Sequence, residues 1–87
     1  MRSVPVYVDD ARIRWRGRRW SHLVADTPEE LHGAAARLGL RREWAQEKGR
    51  TLHYDLPDEL RELAIELRYA TPITWRELVA RRHCFAA

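Results

Sequence analysis

Trp20-Ser21-His22-Leu23-Val24-Ala25-Asp26-Thr27-Pro28-Glu29-Glu30-Leu31-His32 is the stretch whose reading arranges the rest of the chain. An apolar run ends at Ala25, and Thr27-Pro28-Glu29-Glu30 then opens a helix with a hydroxyl at the N-cap, proline at N1 and glutamate at N3. In such a capping box the Thr27 hydroxyl and the Glu30 carboxylate each satisfy a backbone donor that the first turn leaves unpaired. A strand therefore becomes a helix at a fixed corner, with Asp26 at its tip.

Working upstream, Val4, Val6 and Val8 alternate with Pro5 and Tyr7, the period of a strand with one buried face, and Asp9-Asp10 end it. Ile13 and Trp15 alternate with Arg12, Arg14 and Arg16, and Arg16-Gly17-Arg18 offers a turn into the Trp20 to Ala25 run. This reads as a three-strand meander, in which the first and third strands run the same way. Asp9, Asp10 and Asp26 would then share one edge of the sheet, and Ile13 and Trp15 would face the core.

Downstream, Leu31, Ala34, Ala35 and Leu38 recur at helical spacing, and Gly39 supplies the left-handed residue that ends the helix. Trp44-Ala45-Gln46 and Thr51-Leu52-His53-Tyr54 are short strands joined by a polar turn through Gly49 and Arg50. Pro57 starts a second helix with Leu60, Leu63, Ala64 and Leu67 as its core stripe. Thr71-Pro72-Ile73 is an edge strand, and Thr74-Trp75-Arg76-Glu77 is a second capping box, with Leu78 and Val79 inward. The expected fold is α/β (or α+β): a single domain over residues 1–87, one small mixed sheet of four to five strands and three helices packed on it.

At 87 residues one core is the ceiling, and 45% hydrophobic with 33% charged residues is ordinary for a folded, water-soluble domain. No apolar run is long enough to span a bilayer and the N-terminus has no signal-peptide pattern, so a cytoplasmic location and no membrane partner are expected. Cys84 is the single cysteine, which excludes an internal disulfide. Arg12, Arg14, Arg16, Arg18 and Arg19 place five positive charges in eight residues, so the remainder of the chain is net −2 against a total of +3.

Three groups of residues carry chemistry. Asp9 or Asp10, Asp26 and Asp55 each follow an apparent strand, and converging carboxylates would suit Mg²⁺ or Mn²⁺. Aspartates in such places also serve as turn and cap residues. His22, His53 and Asp55 form the candidate catalytic set, since imidazole exchanges protons near neutral pH and a neighbouring carboxylate fixes its tautomer. The chain has no zinc-binding spacing such as His-Glu-x-x-His, which argues against zinc. Five arginines in a ribbon can contact phosphates with strong salt dependence and little sequence preference, or can form a solvated face.

Tyr7-Val8-Asp9-Asp10, Trp20-Ser21-His22-Leu23 with Ala25-Asp26, Glu30-Leu31-His32, Leu38-Gly39-Leu40, Trp44 with Gln46, and His53-Tyr54-Asp55-Leu56 resemble, in order, a family of small bacterial and phage proteins known only as a domain of unknown function. The resemblance covers nearly the whole chain. It implies a stand-alone protein of about this size and adds His32, Gln46 and Tyr54 as support for a polar pocket. Two departures stand out: a short segment between Trp44 and His53, and Tyr69 where a helix-ending glycine is usual.

The leading expectation is thus a domain that binds a phosphate-containing ligand, nucleotide or nucleic acid, in a His/Asp pocket at the carboxyl edge of the sheet, with metal-assisted phosphodiester hydrolysis as its chemistry. A non-catalytic nucleic-acid-binding protein using the arginine ribbon, and a phage or host protein-interaction domain, are the alternatives. Ile65 and Tyr69, at i and i+4 away from the core stripe of the second helix, point to a homodimer contact that Phe85 could assist or cover.

Overall fold

In the computed structural model, which describes residues 5–48 and 51–81, the decisive stretch becomes the central strand, β3 (Arg18–Ala25). β5 (Thr51–Pro57) lies antiparallel along one side of it, with Leu23 opposite Tyr54 and His22 opposite Asp55. β1 (Val6–Val8) lies antiparallel along the other, with Val6 opposite Ala25. β4 (Gln46–Lys48) and β6 (Thr71–Pro72) form the edges, β6 running parallel to β1, so the strand order is β4-β5-β3-β1-β6 in one mixed sheet.

The side-chain period of two sorts this sheet into two unlike faces. Val6, Val8, Leu23, Ala25, Tyr54 and Leu56 meet Leu31, Ala34 and Ala35 of α1 (Pro28–Arg37) and Ala64 of α2 (Asp58–Glu66) in the main core. On the other face Tyr7, Val24 and Ile73 pack with Leu78 of α3 (Trp75–Ala80), which covers only the β1 side. Trp20, His22, His53 and Asp55 therefore lie on the face that α1 and α2 leave uncovered.

The meander is the principal correction. β2 (Ile13–Trp15) does not lie between β1 and β3; it pairs with the first half of β3, in tandem with β1 along the same edge. Asp9 N–H still donates to the His22 carbonyl at 3.1 Å, continuing the β1 ladder, and Ile13 resumes pairing at Trp20. Asp10, Ala11 and Arg12 thus stand opposite Ser21 alone, a three-against-one bulge in which Arg12 takes a positive φ of 48°. Because β1 and β3 are antiparallel, Asp9-Asp10 and Asp26 lie at opposite edges of the sheet.

The β2–β3 hairpin closes through Arg16 (φ 51°) and Gly17 (φ 75°), the paired positive angles of a type I′ turn. It projects past the helices, so Ile13 and Trp15 keep the expected phase against the arginines but are 53% and 58% exposed instead of entering the core.

The helices follow the sequence with local changes. Thr27 accepts from Glu30 N–H at 3.2 Å, but the Glu30 carboxylate accepts from the Thr27 hydroxyl, so the box at α1 is half formed, whereas Thr74 and Glu77 form a complete one at α3. Pro57 is the N-cap of α2 and not its first residue. The core stripe of α2 is rotated: Ala64 is fully buried and Ile65 and Tyr69 pack against the core, while Leu63 and Leu67 are exposed. The outward Ile65–Tyr69 pair on which the dimer expectation rested is therefore not present. The left-handed residue after α2 is Arg68 (φ 60°), one position before Tyr69.

Trp44 belongs to a 3₁₀ turn (Arg42–Trp44) and not to a strand, and Val79 is exposed beside buried Leu78. The expectations for Val4, the Gly49-Arg50 turn, Cys84 and Phe85 lie outside the described residues. Among the described residues no helix is long and apolar enough to cross a membrane.

The rotated phase of α2 has a direct consequence. Ala64→Leu, which forces bulk into a filled contact, is expected to lower stability by about 1–3 kcal/mol, while Leu67→Glu stays within about 0.5 kcal/mol of wild type. Urea unfolding of the two variants measures this, and the opposite ranking would restore the phase read from the sequence.

Candidate metal centre

A polar cluster lies on the face of the sheet opposite α1 and α2. His22 on β3, and His53 and Asp55 two residues apart on β5, each offer one ligand atom, and these atoms all lie within 4.8 Å of one another. Strand pairing explains the convergence: His22 is opposite Asp55, and His53 projects from the same face of β5. The two imidazoles meet edge to face, with ring centroids 5.3 Å apart.

Each histidine is held through Nδ1. His22 Nδ1–H donates to Asp9 Oδ2 at 2.7 Å, and His53 Nδ1–H donates to the Thr51 carbonyl at 3.2 Å. Both acceptors fix the tautomer that carries the proton on Nδ1, which puts each neutral ring's lone pair on Nε2. His53 Nε2 lies 3.6 Å from Asp55 Oδ1, and Asp55 Oδ2 accepts from Gln46 Nε2 at 2.9 Å. Outer partners of this kind, a carboxylate and a backbone carbonyl on the distal nitrogens, are those that orient histidines at metal sites.

Asp9 is fully buried. A carboxylate is tolerated there because its oxygens are satisfied: Oδ1 accepts from the backbone N–H of His22 at 2.8 Å and of Ala11 at 3.2 Å, in addition to the His22 ring on Oδ2. The bulge that Asp9 shapes is also tied to the helices. Arg61 of α2 donates to the Asp9 carbonyl at 2.7 Å, Asp10 accepts the Trp75 N–H at the start of α3, and Arg12 pairs with Asp58 at 2.8 Å. That pairing holds the Asp58 carboxyl below its ordinary range.

The structure separates the remaining candidates. Asp10 accepts the N–H of Trp75 beside the Thr74 cap of α3, and Asp26 is exposed at the far end of β3, its N–H donating to the Pro5 carbonyl. The carboxylates of Asp9, Asp10 and Asp26 do not converge. Gln46 supports the cluster through Asp55, but His32 and Tyr54 belong to the other side of the sheet, where the Tyr54 hydroxyl and His32 Nδ1 are 2.6 Å apart. The cluster also lies on the face of the sheet between neighbouring strands, not at a carboxyl edge.

Beside the cluster, and sharing Asp55 and Gln46 with it, is a cleft of about 540 Å³ walled by Trp15, Trp20 and Trp44 with Arg18. Trp20 is fixed by donating Nε1–H to the Trp15 carbonyl at 2.9 Å, and the two rings meet edge to face at 6.2 Å. Sequence reasoning missed this wall because Trp15 was phased into a core that does not extend under the hairpin. The arginine ribbon is divided: Arg12 and Arg18 pair with Asp58 and Glu59 of α2, and Arg16 lies over the Trp15 ring at 4.7 Å.

Comparison with known proteins gives one result. A family model described as "Protein of unknown function (DUF4031)" matches residues 6–84. No curated protein and no solved structure matches the chain.

Two predictions follow from the geometry. Asp9→Asn keeps the size but turns an amide N–H₂ toward one of three donors, and is expected to lower stability by about 1–3 kcal/mol in chemical denaturation, against less than about 0.5 kcal/mol for Asp26→Asn. The second concerns His32, whose pKa is held below the ordinary 6.5 by burial and by Arg42, as burial raises that of Tyr54. The unfolded chain then binds a proton before the folded one does, so the stability His32 contributes is present above pH 6.5 and is lost as pH falls through the folded pKa. The stability difference between wild type and His32→Asn should therefore shrink between pH 7 and the acid limb of unfolding measured in parallel.

Proposed function

The chain belongs to the DUF4031 family, and we propose that it is a metal-dependent hydrolase whose ion is held by His22, His53 and Asp55, acting on a phosphate-containing substrate. The observation that carries this reading is the grouping of three donor atoms within 4.8 Å, with both imidazoles oriented through their distal nitrogens. Two imidazoles and one carboxylate suit Zn²⁺, Mn²⁺ or Fe²⁺ better than Mg²⁺, which prefers oxygen ligands and retained water. Of the Mg²⁺ or Mn²⁺ expected from the sequence, this donor set keeps Mn²⁺, and it admits the zinc that the sequence argued against, because ligands drawn from two strands leave no local spacing to read.

His22, His53 and Asp55 would hold the ion, which when bound would supply an acidified water and polarise a phosphoryl oxygen. The protein's share is to hold the donors in place. Asp9 keeps the His22 ring in one orientation, and Gln46 restrains the Asp55 carboxylate.

The phosphate class is supported by charge. Arg18, Trp20 and His22 alternate along β3 and so share a face with the cluster, which sets the basic hairpin beside it. A nucleic acid could use the same charge without chemistry, and the arginines that α2 already pairs make that purely electrostatic reading the weaker one.

The test is metal binding at neutral pH, followed by calorimetry and melting temperature. Zn²⁺ or Mn²⁺ should bind and raise the melting temperature of wild type, by mass action on the folded state, with Mg²⁺ giving a much smaller effect. His53→Ala and Asp55→Ala should abolish the effect, and Asp9→Asn should weaken affinity about 10–100-fold. Metal-loaded wild type should hydrolyse bis(p-nitrophenyl) phosphate and Asp55→Ala should not. Equal binding by wild type and His53→Ala would overturn the site.

A further inference from the structure

The cleft next to the cluster has features that hydrolysis of a simple phosphate ester does not require. We propose that it binds a nucleotide, with the base stacked among Trp15, Trp20 and Trp44 and the phosphate directed toward the Asp55 end. The direction of the phosphate rests on the metal-site reading above; the seat for the base does not.

Three indoles line one cleft, and two of them are unusually open for tryptophan, Trp15 at 58% and Trp44 at 52% exposure. They come from separate parts of the chain, the hairpin and the 3₁₀ turn, and stand across the open outer edge of β5 where β4 no longer pairs. A volume of about 540 Å³ is in the range, roughly 300–1,000 Å³, of sites for small organic ligands. Planar π faces at this density favour a planar aromatic ligand, since base stacking on such side chains is strong and tolerant of base identity.

Charge selects among aromatic ligands. Arg18, which pairs with Glu59, lines the cleft and lies over the Trp20 ring at 5.9 Å, Arg16 lies over Trp15 outside the lining, and Glu43 and Asp55 are the acidic groups of the lining. With the carboxylates of Glu43 and Asp55 beside a single guanidinium, the indoles and Arg18 serve the base, and the phosphate depends on the ion proposed at Asp55 to offset the repulsion of those carboxylates. Asp55 and Gln46 at the inner end place the cluster within reach of the ligand's polar end. Leu40, Pro57 and Leu60 form the apolar floor on which a base edge can rest.

The test uses calorimetry on the full chain, metal-free and loaded with Mn²⁺, with adenosine, adenosine 5′-monophosphate, a 5′-phosphorylated oligodeoxyadenylate, inorganic phosphate and cellobiose as probes. Adenosine and the monophosphate should both bind the metal-free protein, and Trp44→Ala should weaken each about ten-fold or more. Mn²⁺ should tighten the monophosphate and leave adenosine unchanged. If adenosine binds in a Trp44-dependent way and Mn²⁺ changes nothing, the cleft stands and the metal reading fails. Tighter binding of the oligonucleotide than of the monophosphate identifies the ligand as a strand end; the reverse identifies a free nucleotide. Absence of binding by adenosine, monophosphate and oligonucleotide in both states, binding unaffected by Trp44→Ala, or preferential binding of cellobiose would overturn the proposal.

Discussion

The Asp9 carboxylate is the interaction on which the rest depends. A buried charge is costly unless its oxygens are bonded, and removing its partners would leave an uncompensated ion in the sheet. Here it accepts from two backbone N–H groups and one imidazole, and this set of bonds shapes the bulge from Asp10 to Arg12. The bulge in turn bonds to α2 through Arg61 and Asp58 and to α3 through Trp75. One carboxylate thus couples the sheet, two helices and the orientation of His22.

That coupling explains why the chemistry lies where it does. The α1 and α2 layer packs over Leu23, Tyr54 and Leu56, and on the opposite side α3 packs over Tyr7, Val24 and Ile73. His22, His53 and Asp55 lie on that second side, half-buried or buried among neighbours that orient them. Shifting the bulge by one residue would reverse the faces of the strand that carries it and break the Asp9–His22 bond. The site is therefore as stable as the register.

How much of this was legible in the sequence depends on range. The Thr27-Pro28 corner, the helix over Leu31 to Leu38 and the Thr74–Glu77 box are set by contacts within four residues, and they form close to where the sequence puts them. His53 and Asp55 share a face by simple alternation. What the sequence did not carry was which strand pairs with which. The alternation in Ile13 to Trp15 is equally compatible with a middle strand and with a hairpin projecting past the core, and only the long-range pairing of β1 with β3 decides between them. The same gap hid the bond between buried Asp9 and the His22 ring, and the tryptophan cleft. On α2 the helical period was right and its phase wrong, because fully buried Ala64 allows close approach to the sheet while exposed Leu63 and Leu67 read as core. The family match over residues 6–84 agrees with the ordered motifs without adding an activity.

The most direct measurement is anomalous diffraction from crystals grown with Mn²⁺ or Zn²⁺, recorded on either side of the metal's absorption edge. An ion is predicted about 2.0–2.2 Å from a nitrogen of His22, a nitrogen of His53 and an oxygen of Asp55, with Asp9 bonded to the far side of the His22 ring and not to the ion. An anomalous peak at Asp9, Asp10 or Asp26 instead, or none at the cluster with the metal in excess, would contradict the account.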